Sequence, residues 1–276
     1  MQEPRSVLIT GCSSGIGRHV ALGLKTRGYR VFAAARKEGD VIALRQTGLE
    51  SLQLDLNNSA SVQYAIRYVL DRTQGKLYAL FNNAGFGVAG AVEDLGRDAL
   101  RDQLEVNLLG THELTRAVIP VMRQQGFGRI IQNSSMLGFI ALPLRGAYVA
   151  SKYALEGLSD ALRLELSGTD IHISLIEPGP IESAFRKNSY AACLRYIDKD
   201  SSVFRDTYQK TGERLQKEGP AVPFTLGPEA VLKKVIHALE SKRPKARYYV
   251  TFPAYLFGYL KRALPTAALD TILARI

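Results

Sequence analysis

The sequence predicts an α/β fold, a single doubly wound parallel sheet with helices on both faces. Three observations predict it. Short apolar, β-branched runs alternate with helical patterns along the 276 residues. The first such run passes directly into a glycine-rich turn that opens a helix. No linker, repeat or low-complexity tract divides the chain, so one domain over 1–276 is expected. Strands that alternate with helices pair in parallel through right-handed crossovers. Ligands of such sheets sit at the carboxyl ends of the strands, where the strand order reverses.

The elements read as follows. Val7-Leu-Ile-Thr10 has a buried-strand pattern, which predicts the first strand over 6–10. A helix over 15–27 follows the glycine turn, then strands over 30–34 and 50–54 and a helix over 59–73. The next strand is placed at 77–81, a long helix at 98–124 and a strand at 128–133. The helix carrying Tyr148 spans 147–167, and a strand follows at 171–176. The stretch 186–226 is polar, mixed in charge and weakly periodic, and reads as an irregular substrate-loop insert. Gly227-Pro228-Glu229 then starts a helix over 228–240, with Pro near its first position. The last strand is placed at 247–251.

The tail, about 248–276, combines aromatic and aliphatic residues with Lys242, Arg243, Lys245, Arg247, Lys261 and Arg262 at its flanks. Such a segment suits an interfacial contact with anionic lipid, a wall of a greasy channel, or a packed terminal helix or dimer contact.

The net charge is +10, which suits anionic partners: a phosphate-rich cofactor, a membrane surface or nucleic acid. No nucleic-acid-binding motif is present, so that partner is not expected. Cys12 and Cys193 are the only cysteines, which excludes a disulfide scaffold and points to a reducing compartment. Cys12 reads as a small residue filling the turn. The chain enters its first strand without a leader pattern, and no window approaches the ~20 apolar residues of a spanning helix. A cytoplasmic protein is expected, with no metal site.

The turn Thr10-Gly11-Cys12-Ser13-Ser14-Gly15-Ile16-Gly17 joins a strand to a helix N-terminus. Free amides and the helix dipole there favour phosphate. Gly11 suits the tight turn, and Gly15 and Gly17 suit close backbone approach. The spacing differs from the common G-x-G-x-x-G fingerprint and lacks the Lys-Ser/Thr ending of an ATP-type loop.

Tyr148 and Lys152 lie one helical turn apart on one face. An ammonium beside a phenol favours the phenolate, so a lowered tyrosine pKa is expected. Such a phenol can exchange a proton with a substrate oxygen. Ser135 stands thirteen residues before Tyr148, with Ser134 as its rival.

Taken together, these residues resemble the short-chain dehydrogenase/reductase family, in the branch holding 17β-hydroxysteroid and retinol dehydrogenases and closest to bacterial NADP-dependent aldehyde reductases. The likeness covers nearly the whole chain. It includes the turn from Thr10 to Gly17, Asp55, Asn82-Asn83-Ala84-Gly85, Asn107, Ser135, Tyr148, Lys152 and Pro178-Gly179. Ser183 stands where many members carry Thr, with the hydroxyl kept.

The resemblance implies a Rossmann-type fold and hydride transfer between nicotinamide and a carbonyl carbon. Tyr148 is then the proton donor, Ser135 a donor to the substrate oxygen, and Lys152 a ligand of the nicotinamide ribose. Asn107 holds a water that links Lys152 to solvent, or caps backbone groups inside a helix. Asp55 and Leu56 match the adenine contacts, Asn83, Ala84 and Gly85 line adenine and ribose, and Pro178, Gly179 and Ile181 hold the nicotinamide. Gly11, Ser13, Ser14, Gly15, Ile16 and Gly17 form the phosphate turn.

At the end of the second strand an NAD-specific protein places an acid. This chain has Arg36 there, then Lys37, which suits the 2′-phosphate of NADP(H). Met136, Leu137, Phe139, Ile140, Leu142, Leu144 and Phe185 make the substrate side apolar. A hydrophobic aldehyde or ketone with broad specificity is expected, with a narrower hydroxysteroid or retinol oxidoreductase as the alternative. Related enzymes imply a homo-oligomer, dimer or tetramer.

Overall fold

The computed structural model describes residues 4–276. β1 (Ser6–Ile9), β2 (Arg30–Ala35), β3 (Glu50–Gln53), β4 (Ala79–Asn82), β5 (Phe127–Asn133), β6 (Asp170–Glu177) and β7 (Arg247–Tyr249) form one sheet. Its order is β3-β2-β1-β4-β5-β6-β7, and every pairing is parallel. The doubly wound arrangement is therefore as expected. The order reverses between β1 and β4, which opens a crevice above their carboxyl ends.

Both faces of the sheet are covered. One face packs with α1 (Gly15–Thr26), α2 (Glu38–Gln46) and α9 (Glu229–Glu240) through Val20, Leu24, Val41, Val231 and Val235. The other packs with α3 (Ser59–Arg72) and α5 (Thr111–Gln125) through Val62, Val69, Leu114, Val118 and Met122. Strands buried on both sides read as near-continuous apolar runs, as β1 and β2 do.

Four readings change. α2 is a full helix where none was expected, because it buries only Val41 and Leu44 and so has little periodic signal. The long helix expected at 98–124 is broken. α4 (Arg97–Leu104) passes into a π-helical segment over Glu105–Gly110 before α5 begins. At Gly110 a β-carbon would stand 2.1 Å from the Leu56 carbonyl oxygen, so only glycine allows this approach of helix to strand end.

The insert 186–226 is not irregular. It holds most of α7 (Phe185–Tyr196) and all of α8 (Arg205–Gln216). Cys193, Ile197, Tyr208 and Leu215 bury against Ala89 and Ala91 to form a separate small core. The Tyr208 hydroxyl donates to Asp94 at 2.7 Å and accepts from the Ala91 amide at 2.8 Å.

The tail forms α10 (Phe252–Ala263) and α11 (Thr266–Leu273), after α6 (Gly146–Glu165) and β7 in the chain. Ala254, Phe257, Leu269 and Leu273 pack on Met136 and Ile140, so one face of the tail docks on the body. Arg247, read as a flanking surface charge, is instead tied into the interior. It pairs with Glu156 at 3.0 Å, Asp160 at 2.8 Å and Glu177 at 3.1 Å. Among the described residues no helix is long and apolar enough to cross a membrane.

Candidate active site

A cleft of about 1230 Å³ runs along the carboxyl ends of the strands. Its floor is a hydrogen-bond lattice that joins three strand ends. Thr10, just after β1, accepts through its hydroxyl from the amides of Asn83 at 3.0 Å and Ala84 at 2.9 Å. The Asn83 amide group donates back to the Thr10 and Gly11 carbonyls at 2.9 and 3.2 Å. Asn133, at the end of β5, donates to the Asn83 side-chain oxygen at 3.0 Å. The lattice holds the crevice open across β1, β4 and β5.

The glycine turn forms one end of the cleft. Gly11 has φ of +70°, and a β-carbon there would stand 2.7 Å from the Ala84 α-carbon. Gly17 lies behind the turn, where a β-carbon would stand 2.3 Å from the Gly11 carbonyl oxygen. α1 has no acidic residue in its first turn, and Ser14 at its N-cap makes no capping bond. Its first amides are therefore available to an anion, and the dipole adds to them. Cys12 is fully buried, its thiol donates to the Ile9 carbonyl at 3.3 Å, and burial pushes its pKa up. It fills the turn, as expected.

Every expected cofactor residue except Gly17 borders the cleft, including Ser13, Ser14, Gly15, Ile16, Arg36, Asp55 and Leu56. Arg36 is exposed at the rim, just beyond β2, and its carbonyl accepts from the Gln53 side chain at 2.9 Å. Asp55 accepts from the Asn57 amide at 3.0 Å, which shapes the turn after β3. Pro178, Gly179 and Ile181 border the cleft beyond β6, and Gly85 lies between Asn107 and Lys152. These surroundings suit a dinucleotide: an anion-ready turn, a glycine-lined floor and a cation at the rim.

Tyr148 and Lys152 stand on α6 beside Ser135. All three are buried. Ser135 accepts from the Leu137 amide at 3.1 Å and donates to the Pro178 carbonyl at 3.4 Å, and its hydroxyl favours the ionised form of Tyr148. Ser134, which also borders the cleft, stands beside Glu156 instead. The geometry therefore favours Ser135.

The expected depression of the tyrosine pKa is not what this arrangement produces. Burial pushes Tyr148 up to about 12, and the Ser135 hydroxyl only partly opposes it. Burial also pushes Lys152 down to about 8, against the pull of Glu156. The Lys152 ammonium donates to the Asn133 carbonyl at 2.7 Å and lies 5.7 Å from the centre of the Tyr148 ring. Desolvation dominates at both groups.

Asn107 sits in the π-helical segment, outside the cleft wall. Its side chain donates to the Phe86 carbonyl at 2.9 Å and to the Ser151 hydroxyl at 3.1 Å, and accepts from the Phe86 amide at 3.1 Å. The side chain thus braces the segment following Gly85 against α6, in keeping with the backbone-capping alternative. The bracing parts played by Thr10, Asn133 and Ser151 escape a reading of the sequence. Nothing in their spacing marks them, since their partners lie 44 to 74 residues away.

An anion-ready turn at one end and a buried phenol–amine pair at the other suit the dehydrogenases that exchange hydride with a nucleotide. The chain belongs to the short chain dehydrogenase family, whose model matches residues 5–193. It is an oxidoreductase of that family, which works with a nicotinamide cofactor.

It is 44% identical to the uncharacterized oxidoreductase YbbO of Escherichia coli (strain K12), over 98% of this chain and 94% of that one. It is 36% identical to human 17-beta-hydroxysteroid dehydrogenase type 1, over 89% of this chain and 77% of that one. A short chain dehydrogenase from Burkholderia phymatum in complex with NAD superposes with a TM-score of 0.77 at 26% identity, covering 94% of this chain and 93% of that one. A single-substitution variant of actinorhodin polyketide ketoreductase with NADPH gives 0.74 at 27% identity, covering 91% and 97%. The structural relatives thus include both cofactor types.

Proposed function

We propose that the protein is an NADP(H)-dependent oxidoreductase that interconverts a hydrophobic aldehyde or ketone and its alcohol, with broad specificity. The observation that carries this reading is the meeting of Tyr148, Ser135 and Lys152 in a cleft whose far end is the anion-ready turn. When bound, the nicotinamide supplies or takes the hydride.

The residues take these roles. Ser13, Ser14 and the turn amides hold phosphate, and Arg36 with Lys37 reads the 2′-phosphate through charge-assisted bonds. Asp55, Leu56, Asn83, Ala84 and Gly85 line the adenosine side. Pro178, Gly179 and Ile181 orient the nicotinamide. Ser135 donates a hydrogen bond to the substrate oxygen where negative charge develops. Tyr148 gives that oxygen a proton. A phenol raised to about 12 is fully protonated at neutral pH, which suits the reducing direction. Lys152, lowered to about 8, holds an exchangeable proton one helical turn away and binds the ribose hydroxyls. Asn107 positions the Gly85–Phe86 backbone and α6.

Leu137, Leu142, Phe185 and Phe257 border the substrate end of the cleft. Apolar walls discriminate by only about 1–3 kcal/mol per methylene, which supports breadth. A narrower hydroxysteroid activity is the second reading, supported by the 36% identity to the human steroid enzyme. A screen of NADPH consumption over aldehydes, ketones, steroids and retinoids tests both. Turnover confined to steroids or retinoids selects the second, and turnover with none of them removes both.

Residues 1–276 act as one domain in this reading, in the cytoplasm and as a dimer or tetramer. Exposed Tyr255, Leu256 and Tyr259 beside Lys261 support a peripheral contact with anionic lipid, which co-sedimentation with vesicles at low salt tests.

A further inference from the structure

Arg145 is the N-cap residue of α6, three positions before Tyr148. Arg145 is half-buried and borders the substrate end of the cleft. The one described hydrogen-bond partner of its guanidinium is the Leu144 carbonyl, at 3.0 Å. Among the described residues no carboxylate forms an ion pair with it. Asp102, which also borders the cleft, is taken by the Tyr196 hydroxyl and lies 3.8 Å from Arg195.

Arg214 of α8 lines the same cleft, and burial together with repulsion from that cation brings Arg145 down to about 10. It stays charged at neutral pH. A half-buried guanidinium with a second cation in its cleft and no ion-pair partner among the described residues is costly unless something else completes it. The backbone is also held out of its usual range here. Leu144, a leucine, has φ of +58°, and its carbonyl accepts both from Arg145 and from the Gly90 amide at 3.0 Å. Strain of this kind gathers at ligand sites. The free amides at the start of α6, which has no acid in its first turn, add positive potential.

We propose that Arg145, helped by Arg214, holds an anionic group of the substrate, a carboxylate or a phosphate monoester, on a carbonyl compound that is otherwise apolar. The inference rests on reading this cleft as a carbonyl-reducing site, and it names the substrate class: oxo acids or oxo phosphates with a hydrocarbon body. Leu137, Leu142 and Phe185 hold the hydrocarbon, and the guanidinium fixes which carbonyl lies under Tyr148.

Calorimetric titration of the full chain with hexanoate, hexyl phosphate and hexanol tests it without needing turnover. At least one anion should bind roughly tenfold or more tighter than hexanol, the scale of a hydrogen bond to a charged group. The tighter anion tells carboxylate from phosphate. Arg145→Gln should erase the preference, Arg145→Lys should recover part of it, and Arg214→Ala should weaken it.

In NADPH oxidation, wild type should prefer the matching anionic aldehyde, 6-oxohexanoate or its phosphate analogue, to hexanal in kcat/KM by a similar factor. Arg145→Gln should treat the two alike. Equal binding of the alcohol and both anions by wild type would overturn the proposal, as would a preference that survives in Arg145→Gln. Anion binding lost in Arg145→Gln, with no carbonyl reduced at all, would keep the anion site and sink the reductase reading.

Discussion

The Lys152 ammonium donates to the carbonyl of Asn133 at 2.7 Å, which ties the α6 cation to the end of β5. Asn133 in turn bonds Asn83, and Asn83 bonds Thr10 and Gly11. One chain of bonds therefore runs from the amine to the phosphate-type turn. The amine and the turn therefore share one hydrogen-bonded scaffold.

The first prediction concerns pH. Burial brings Lys152 down to about 8, so its charge is lost as the pH rises through that value. With NADPH saturating, kcat/KM for aldehyde reduction should fall between about pH 7 and 9, by tenfold or so per unit at the steep end. Lys152→Arg, charged throughout, should be slower but flat over that range. A flat wild-type profile would detach Lys152 from proton supply.

Tyr148→Phe removes the hydroxyl and keeps the ring, which packs at 5.2 Å against Phe185. Turnover should drop about 10²–10⁴-fold, the usual contribution of a general acid. NADPH affinity, followed by fluorescence, should change little. A variant retaining half its activity would remove Tyr148 from the chemistry.

Arg36→Ala should weaken NADP(H) by about 1.5–3 kcal/mol, the scale of a hydrogen bond to a charged group. NAD(H), which lacks the 2′-phosphate, should lose far less. Parallel titrations with the two cofactors decide it, and equal losses would mean that Arg36 does not read the phosphate.

The fourth prediction is about stability. Glu177 is buried beside Glu156, and burial with that like charge holds its carboxyl well above the usual range, against the pull of Arg247. A group raised in the folded state contributes stability at low pH and loses it as the pH climbs through its folded value. Wild type should therefore weaken toward alkaline pH. Glu177→Gln, always neutral, should gain on wild type by on the order of 1–3 kcal/mol between about pH 5 and 9. Chemical denaturation at several pH values measures this, and a pH-independent difference would show that the buried pair does not titrate on unfolding.

Much of this protein was legible from residue order. The seven strands, the glycine turn and the Tyr148–Lys152 helix all carry local signals: apolar runs, a φ-permissive turn and helical spacing. Such patterns act over a few residues, so reading order suffices. The helices of the insert were not legible. α7 and α8 are polar on most of their surface and bury only a few residues each against Ala89 and Ala91, partners more than a hundred residues earlier. The break before α5 was not legible either; its Gly110 sits where a β-carbon would meet the Leu56 carbonyl, a neighbour from across the fold.

What the sequence by itself determined was the layered architecture and the list of chemical groups brought to the cleft. Both follow from periodicity and side-chain type, which belong to the chain before it folds. Only the tertiary structure decided how those groups are charged and which of them touch. Burial raised Tyr148 and lowered Lys152, and folding set the amine on Asn133, tied Arg247 to three carboxylates and left Arg145 at the cleft with no carboxylate partner among the described residues. Desolvation and long-range pairing depend on what folds against a residue, and residue order does not state that.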